Sequence, residues 1–464
     1  VGQLRSERAA DRQLRHAARR VQSPAGADRA AGEVLREAAE PSASGPLERA
    51  APEEIAAHQR RRLAALLAEV LPRNRFWAAR LGEAGEALRR QVSDSAYAAL
   101  PTTGKAELVE DQQEHPPLGW IATYPRERYV AFHQTSGTRG RPLPVLDTAE
   151  SWRWFTGCWR QVYAAAGVTA ADRVFFAFGF GPFIGFWAGF AAAQGLGALT
   201  IPGGGLDARQ RLELMREAGA TVLVSTVTYA LRLAEVAREA GLDLRALGVR
   251  RTIHAGEPGA SIPAVRDRVE EAFGAECYDH AGGTEVGAHG FSCSLRDGVH
   301  VNEAEFIAEV LDPGGTAPVP EGAVGELVVT NLGRAGWPVI RYRTGDLVTR
   351  GGRACACGRT FLKLPGGLAG RVDDLMVVRG VNVYPTAVES VVRRFEVGEF
   401  RLVRLRRGPM DELRVEVEAS EDTARAVAEE LRLRLSVRID TRAVPAGSLP
   451  RFELKARRIV DERT

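Results

Sequence analysis

The sequence has almost no net charge: 62 basic and 59 acidic side chains leave +3 over 464 residues. So balanced a surface gives no case for nucleic acid as a partner. Cysteine is sparse, at five residues, and the opening VGQLRSERAADRQLRHAARR has no apolar segment of the kind a secretory leader needs. Such a chain is expected in the reducing cytoplasm, where clustered cysteine more often means metal than disulfide. Two phosphate-binding signatures are missing as well. A Walker A loop beginning at Gly137 would need its second glycine where Pro142 stands, and no Lys-Ser or Lys-Thr follows. The dinucleotide pattern begun by Gly179 and Gly181 fails at Ile184, which occupies the third glycine's place. No internal repeat is present.

Charge is absent altogether from Val174 to Leu206. Length alone permits a membrane span, and Gly181, Gly185 and Gly189 repeat the small-residue spacing of membrane helix pairs. Pro182 and the dense glycine interrupt it, and the flanks Arg173 and Asp207 set no orientation. The preferred reading is a buried strand from Arg173 to Phe178, a glycine turn, and a core helix starting near Pro182. No membrane partner is expected.

Residues 1–45 close on the linker-like PSASGP and read as a helical or poorly ordered extension. Beyond them, a large domain is expected over 46–370 and a small one over 371–464. In the large domain, RVFFAF, GALTIP, ATVLVST and VRRTIHAG alternate with helical stretches, which argues for an α/β region with parallel strands. From Glu305 short alternating strands suggest a β-rich subdomain. After Gly370 the pattern is that of a small α+β unit, with a helix after Pro385 and another from Asp422.

Between His133 and Pro142 the chain reads HQTSGTRGRP. Gly137 and Gly140 would let backbone N–H groups approach an anion. The hydroxyls of Thr135, Ser136 and Thr138 add donors, and Arg139 and Arg141 add positive charge. On this stretch alone, a phosphate cradle and a polar surface turn are both open.

Further motifs follow in order: GEP (Gly256, Glu257, Pro258), AGGTEVG from Ala281, YRTGDL from Tyr342, GRVDDLMVVRGVNVYP from Gly370, and LPRFELKARRIVDER from Leu449. With TSGTRGRP they resemble the adenylate-forming (AMP-binding) enzyme superfamily, specifically its phenylacetate–CoA ligase family, from about Gly45 to the end. The resemblance implies ATP held by Thr135, Ser136, Gly137, Thr138 and Gly140. Gly256, Glu257, Pro258, Gly282, Gly283, Asp346 and Arg371 would complete the nucleotide site.

Joining a carboxylate to the α-phosphate of ATP brings two anions together, so charge must be neutralised as the bond forms. In that frame Glu285, next to Thr284, is an oxygen ligand for Mg2+, which takes few protein ligands and keeps the nucleotide's phosphates. Asp346 would accept from ribose hydroxyls, and Arg371 would be a second ribose contact. The resemblance marks Lys455 as catalytic for adenylation, its ammonium bridging substrate carboxylate and α-phosphate. Leu454 stands where the family usually has glycine. The resemblance also makes Asp373 a hinge, with the loop around Gly380 facing a thiol tunnel after rotation. Ala281 replaces the family's usual aromatic, so phenylacetate itself does not follow. Phe178, Phe183, Gly185 and Ala281 are expected to line an apolar acyl pocket suited to an aromatic carboxylate.

Cys293, His300, Cys355 and Cys357 remain. Three thiolates and an imidazole make a closed tetrahedral Zn2+ site of the structural kind, and the resembling family includes members with such a site here. Cys277 and His289 are left outside it. The expected activity is ATP-dependent acid–thiol ligation, through an acyl-adenylate, with coenzyme A as acceptor. A carrier protein's phosphopantetheine is the alternative acceptor. An inactive nucleotide-binding protein is the alternative class, against which Glu285 and Lys455 together speak. A homodimer is also open.

Overall fold

The computed structural model describes residues 47–135, 141–378, 381–407, 410–452 and 455–463. The expected extension over 1–45, with Ser136, Gly137, Thr138, Gly140, Gly380 and Leu454, lies outside the described residues. The chain opens on helices α1 (Pro52–Val70), α2 (Arg75–Arg90), α3 (Asp94–Ala98) and α4 (Lys105–Glu114). Helix α1 starts on a proline, which needs no hydrogen-bond partner for its nitrogen there, and buries Ile55, Leu63, Leu66, Leu67 and Val70 on one stripe. An antiparallel hairpin of β1 (Tyr129–Gln134) and β2 (Pro144–Thr148) follows.

Strands and helices then alternate: α5 (Ala149–Ala165), β3 (Arg173–Phe176), α6 (Ile184–Gly195), β4 (Leu199–Pro202), α7 (Ala208–Glu217), β5 (Val222–Ser225), α8 (Val227–Glu239), β6 (Arg251–His254), α9 (Pro263–Phe273) and β7 (Glu276–Gly283). Strands such as β5, buried along their whole length, need cover on both faces, and crossover helices supply it. The order β4-β3-β5-β6-β7 is parallel throughout. At β7 the direction changes. Strands β8 (Gly287–Phe291) and β9 (Gly298–Val301) continue the sheet antiparallel.

A second, antiparallel sheet starts with β10 (Phe306–Leu311), β11 (Val324–Asn331) and β12 (Tyr342–Thr349). The chain then returns through β13 (Lys363–Pro365), which closes the edge of the eight-stranded sheet on β9, and β14 (Leu368–Arg371), which pairs with β12. Two apolar clusters fill the large unit, one around Trp77, Trp154, Trp159 and Trp337, the other beneath α7, α8 and α9. The uncharged run becomes β3, a turn and α6. Helix α6 begins at Ile184 rather than Pro182, because the Pro182 carbonyl accepts the Gln134 amide at 2.8 Å and so belongs to the end of β1. Among the described residues no helix is long and apolar enough to cross a membrane.

A single 3-10 turn, Val372–Asp374, leads from β14 to β15 (Met376–Val378) and β16 (Val381–Val383). Next come α10 (Pro385–Val392), β17 (Phe400–Arg407), β18 (Met410–Glu418), α11 (Glu421–Leu435), β19 (Asp440–Val444) and β20 (Ile459–Asp461). Their four-stranded sheet, ordered β19-β18-β17-β20, carries an apolar cluster of its own. The fold is mixed α/β, with a parallel sheet, a β-rich subdomain and a small α+β unit at the end.

Candidate active site

Ligands of open α/β sheets sit beyond the carboxyl ends of the strands, where the topology switches. Here those ends are Phe178 after β3, Gly256-Glu257-Pro258 after β6, and the AGGTE stretch that ends β7 and turns into β8, where the sheet changes direction. The turn between β7 and β8 is held from below. Arg334, fully buried, donates to Asp147 from Nε at 2.7 Å and from Nη2 at 2.6 Å. Its Nη1 donates to the carbonyls of Thr284 at 2.7 Å and Glu285 at 3.2 Å. A buried guanidinium thus joins β2 to the turn that presents Glu285. Glu285 Oε1 pairs with Lys105 Nζ at 3.1 Å and accepts the Tyr342 hydroxyl at 3.4 Å.

Asp346 and Arg371 face each other across β12 and β14, with Arg371 Nη1 2.9 Å from Asp346 Oδ1. Arg371 Nη2 also donates to the Thr344 carbonyl at 3.2 Å. Gly345, with φ of +73°, makes this possible: a Cβ there would lie 2.7 Å from Arg371 Nη2. Burial raises the Asp346 pKa, and the neighbouring Arg371 charge opposes the shift.

Lys455 comes from the small unit. It keeps solvent exposure at the cleft mouth, yet enough protein surrounds its ammonium that desolvation lowers its pKa. Glu257 and Asp346 oppose that shift, Arg371 adds to it, and Glu285 also opposes it, so these charges share one cleft. Gly256, at φ +95°, leaves room for the lysine: a Cβ there would lie 3.1 Å from Lys455 Cε. The Glu257 carboxylate accepts the Thr228 amide at 2.8 Å and the Ala456 amide at 2.9 Å, and burial raises its pKa. At the base of the TSGTRGRP loop, Thr135 and Leu143 lock reciprocally. The Thr135 amide donates to the Leu143 carbonyl at 3.1 Å, and the Leu143 amide to Thr135 Oγ1 at 3.0 Å.

Of the apolar residues, Phe178 is fully buried and stacks on Phe186 with ring centroids 3.5 Å apart. Phe186 in turn reaches to 3.9 Å from the Cβ position of Gly256, which makes it the ring nearest Lys455's seat. Phe183 covers Gly181, Gly185 has open space beside it, and Ala281 lies buried opposite Gly290. Lys105 and Phe186 escape sequence reading. Lys105 stands alone after PTTG at the start of α4, and Phe186 is one ring among many in an uncharged run. Arg334 looks like any surface arginine in NLGRAGWP; only its burial distinguishes it.

The ligand atoms of Cys293, His300, Cys355 and Cys357 all lie within 4.8 Å of one another. The pairing of His300 with Lys363 brings the Cys355–Cys357 loop to Cys293, just after β8. His300 Nδ1 is 3.0 Å from the Phe361 carbonyl, which can only accept, so Nε2 carries the lone pair. That Nε2 lies 3.6 Å from Cys357 Sγ. Zinc bonds of about 2.3 Å to sulfur and about 2.05 Å to nitrogen put a tetrahedral ligand edge at roughly 3.6 Å. The donor set fits a closed zinc site. Arg359 and Thr360 tie the same loop to Glu48 and Ala50, at 2.9 Å to Glu48 Oε2 and 2.6 Å to the Ala50 carbonyl. Cys277 and His289 lie outside the cluster; both are buried, and burial pushes His289 down to about 4.

The AMP-binding enzyme family profile matches residues 62–334, and the AMP-binding enzyme C-terminal domain matches residues 380–463. The chain belongs to the adenylate-forming, AMP-binding enzyme family. It is 33% identical over 441 residues to a phenylacetate-coenzyme A ligase of Thermus thermophilus, covering 89% of this chain and 97% of that protein. The corresponding figures for the phenylacetate-coenzyme A ligase of Escherichia coli (strain K12) are 31% over 391 residues, 81% and 86%. Among solved structures, 2-hydroxyisobutyryl-CoA ligase in the postadenylation state superposes with a TM-score of 0.84 at 30% identity, covering 89% of this chain and 91% of that one. The same ligase in its thioesterification state, with CoA, gives 0.68 at 31% identity, covering 90% and 91%.

Proposed function

We propose that this chain is an AMP-forming acid–CoA ligase acting in two half-reactions. In the first, a carboxylate oxygen attacks the α-phosphorus of ATP, the bond to the β-phosphate's bridging oxygen breaks, and pyrophosphate leaves. In the second, the thiol sulfur of coenzyme A attacks the acyl carbon, loses its proton, and AMP leaves. The observation that carries this reading is the position of Lys455, brought by the small unit into the cleft that holds Asp346, Arg371 and Glu285. Its ammonium would neutralise the two anions as they approach. Asp346 and Arg371 would hold the ribose, and Thr135, Gly256, Pro258, Gly282 and Gly283 would line the nucleotide.

Glu285 would hold Mg2+ together with the nucleotide's phosphates. Its carboxylate edges the glycine turn, with Oε2 3.9 Å from the Cβ position of Gly283. When bound, the ion supplies neutralisation of phosphate charge. The acid we propose is an aromatic carboxylate, on the strength of Phe186, whose ring reaches the lysine's seat and is backed by the buried Phe178. The test is a pyrophosphate-release screen over aryl and arylacetic acids, with and without coenzyme A. Sustained release only with coenzyme A supports the ligase. Turnover only with a phosphopantetheinylated carrier protein would replace the acceptor. No release with any acid would favour an inactive nucleotide-binding chain.

Cys293, His300, Cys355 and Cys357 would hold Zn2+, which when bound supplies stability where β8, β9 and β13 meet. Purified protein is expected to contain about one zinc per chain, the stoichiometry of a Cys3His site. Cys355→Ser should lose the metal, lower the unfolding midpoint and expose the segment near Glu48 and Ala50 to protease. Metal analysis of protein prepared without chelator decides the matter; a zinc-free, equally stable protein removes the assignment.

The large domain, 46–370 in this reading, and the small one, 371–464, would pivot at Asp373. Supporting this, the chain matches the postadenylation arrangement of its relative better than the thioesterification arrangement, at TM-scores of 0.84 and 0.68. Asp373 lies in the one short turn that joins β14 to β15. Asp373→Pro fixes φ near −65° and should trap the arrangement seen here. Adenylate formation is expected to persist while acyl transfer falls sharply. Equal losses in both half-reactions, measured separately, would speak for misfolding instead.

A further inference from the structure

We infer that the Glu257 carboxylate is a positioning residue for Lys455: it pins the small domain's last segment in the adenylation arrangement, and does not serve as a nucleotide contact. This rests on the role given to Lys455 above.

The carboxylate has two oxygens: one takes a backbone amide of its own large domain, with the Thr228 side chain bonded to the carboxylate as well, and the other takes a backbone amide of the small domain. Oε1 accepts from Thr228, in the first turn of α8, at 2.8 Å; Oε2 accepts from Ala456 at 2.9 Å. First-turn amides of a helix have no partner within it, and the helix dipole favours an anion there, so α8 holds the carboxylate in place. The second oxygen is then presented to the residue directly after Lys455. Fixing that amide fixes where the lysine's backbone lies. The residue before Glu257 completes the seat: Gly256 holds a φ of +95° that a side chain would strain, and a Cβ there would press on the lysine stem at 3.1 Å. Two consecutive residues after β6 thus do separate jobs: Gly256 receives the side chain and Glu257 holds the main chain. Arg458, two residues beyond Ala456, brings its positive charge near the same carboxylate; further contacts between the domains include Arg451 on Glu235 at 3.5 Å and Arg268 on the Phe395 carbonyl. When the small domain turns for acyl transfer, the bond to Ala456 has to break, whereas the bond to Thr228 stays within the large domain.

Glu257→Gln tests this. The amide can accept with one oxygen only, and its NH2 group would face an N–H donor. Hydrogen bonds to charged groups are worth enough that losing one changes an equilibrium about tenfold to a hundredfold. At saturating ATP and the most active acid of the screen, adenylate formation should fall about tenfold or more. The KM for ATP and thioester formation from supplied acyl-adenylate should stay within about twofold. Hydrogen exchange of the Ala456 amide, followed without substrates, should speed up about tenfold or more. Glu257→Asp keeps the charge and the contact with α8 but is a methylene too short to reach both amides; it should show the same pattern more weakly. A raised KM for ATP at unchanged kcat would instead make Glu257 a nucleotide contact. Equal loss in both half-reactions with a lower unfolding midpoint would reduce it to a support for α8. Normal behaviour of both variants would also overturn the inference. Lys455→Ala separates the layers: if it adenylates normally, the lysine's role and the latch both fall. If it is inactive while the Glu257 variants are normal, only the latch falls.

Discussion

Lys455→Ala is expected to lower acyl-adenylate formation by about 10²- to 10³-fold, the usual cost of removing one preorganised charge from a developing transition state. Nucleotide binding should survive, because Asp346 and Arg371 pair with each other across β12 and β14 without any help from the lysine. Thioester formation from supplied acyl-adenylate should also survive, since the lysine has no bond to make once the phosphoanhydride is cleaved. Desolvation by the surrounding protein lowers the Lys455 pKa, so the ammonium starts to lose its proton at a lower pH than a free lysine would. The rate of adenylation should therefore decline on the alkaline side earlier than an exposed lysine predicts, and Lys455→Arg should shift that limb upward. Rapid-quench measurement of the first turnover, with each half-reaction followed alone, is the deciding experiment. Normal adenylation by the alanine variant would remove Lys455 from the chemistry.

Arg334→Met should be the most damaging single change to stability. Both Arg334 and Asp147 are fully buried, and taking away one partner leaves the other charged and unpaired. Breaking such a pair costs about 3–5 kcal/mol. The carbonyls of Thr284 and Glu285 would lose their donor too, so activity should fall even at temperatures where the variant stays folded. The double variant Arg334→Met with Asp147→Leu should recover much of the lost stability and little of the activity, because it removes the stranded charge without restoring the turn. Denaturant unfolding reads the first effect and pyrophosphate release the second. A loss of stability below about 1 kcal/mol, the range of an exposed pair, would contradict the burial argument.

The cleft was legible in the sequence where chemistry is concentrated in short runs. Glycine beside Asp346, glycine before Glu257 and two glycines ahead of Thr284 mark places where backbone must come close to something, and the structure puts all three in one cleft. The alternation of short apolar strands with helices likewise gave the parallel sheet, since strands covered on both faces have no polar side to show. What the sequence withheld depends on tertiary neighbours. Nothing local distinguishes Arg334 from the many exposed arginines, because its partner lies far away on β2. Lys105 meets Glu285 only when α4 packs against the turn after β7. The cysteines could be enumerated, but their convergence needs β13 to return and pair with β9, a connection that no spacing encodes. Glu257 shows a subtler gap: its motif was readable as a nucleotide element, while its carboxylate is engaged by two backbone amides, and amides have no signature in sequence.

The apolar cluster of the small domain is separate from the two in the large one, and apart from the Lys455 stem against Gly256 the contacts named between the domains are hydrogen bonds and ion pairs. Rotation of the small domain therefore exchanges polar contacts for water and exposes little oily surface. Heat capacity follows apolar exposure, so the two arrangements should differ little in it. Their ratio should then follow a nearly straight van't Hoff line, tilting with ionic strength more than with temperature, and the small domain should melt in calorimetry as a distinct transition.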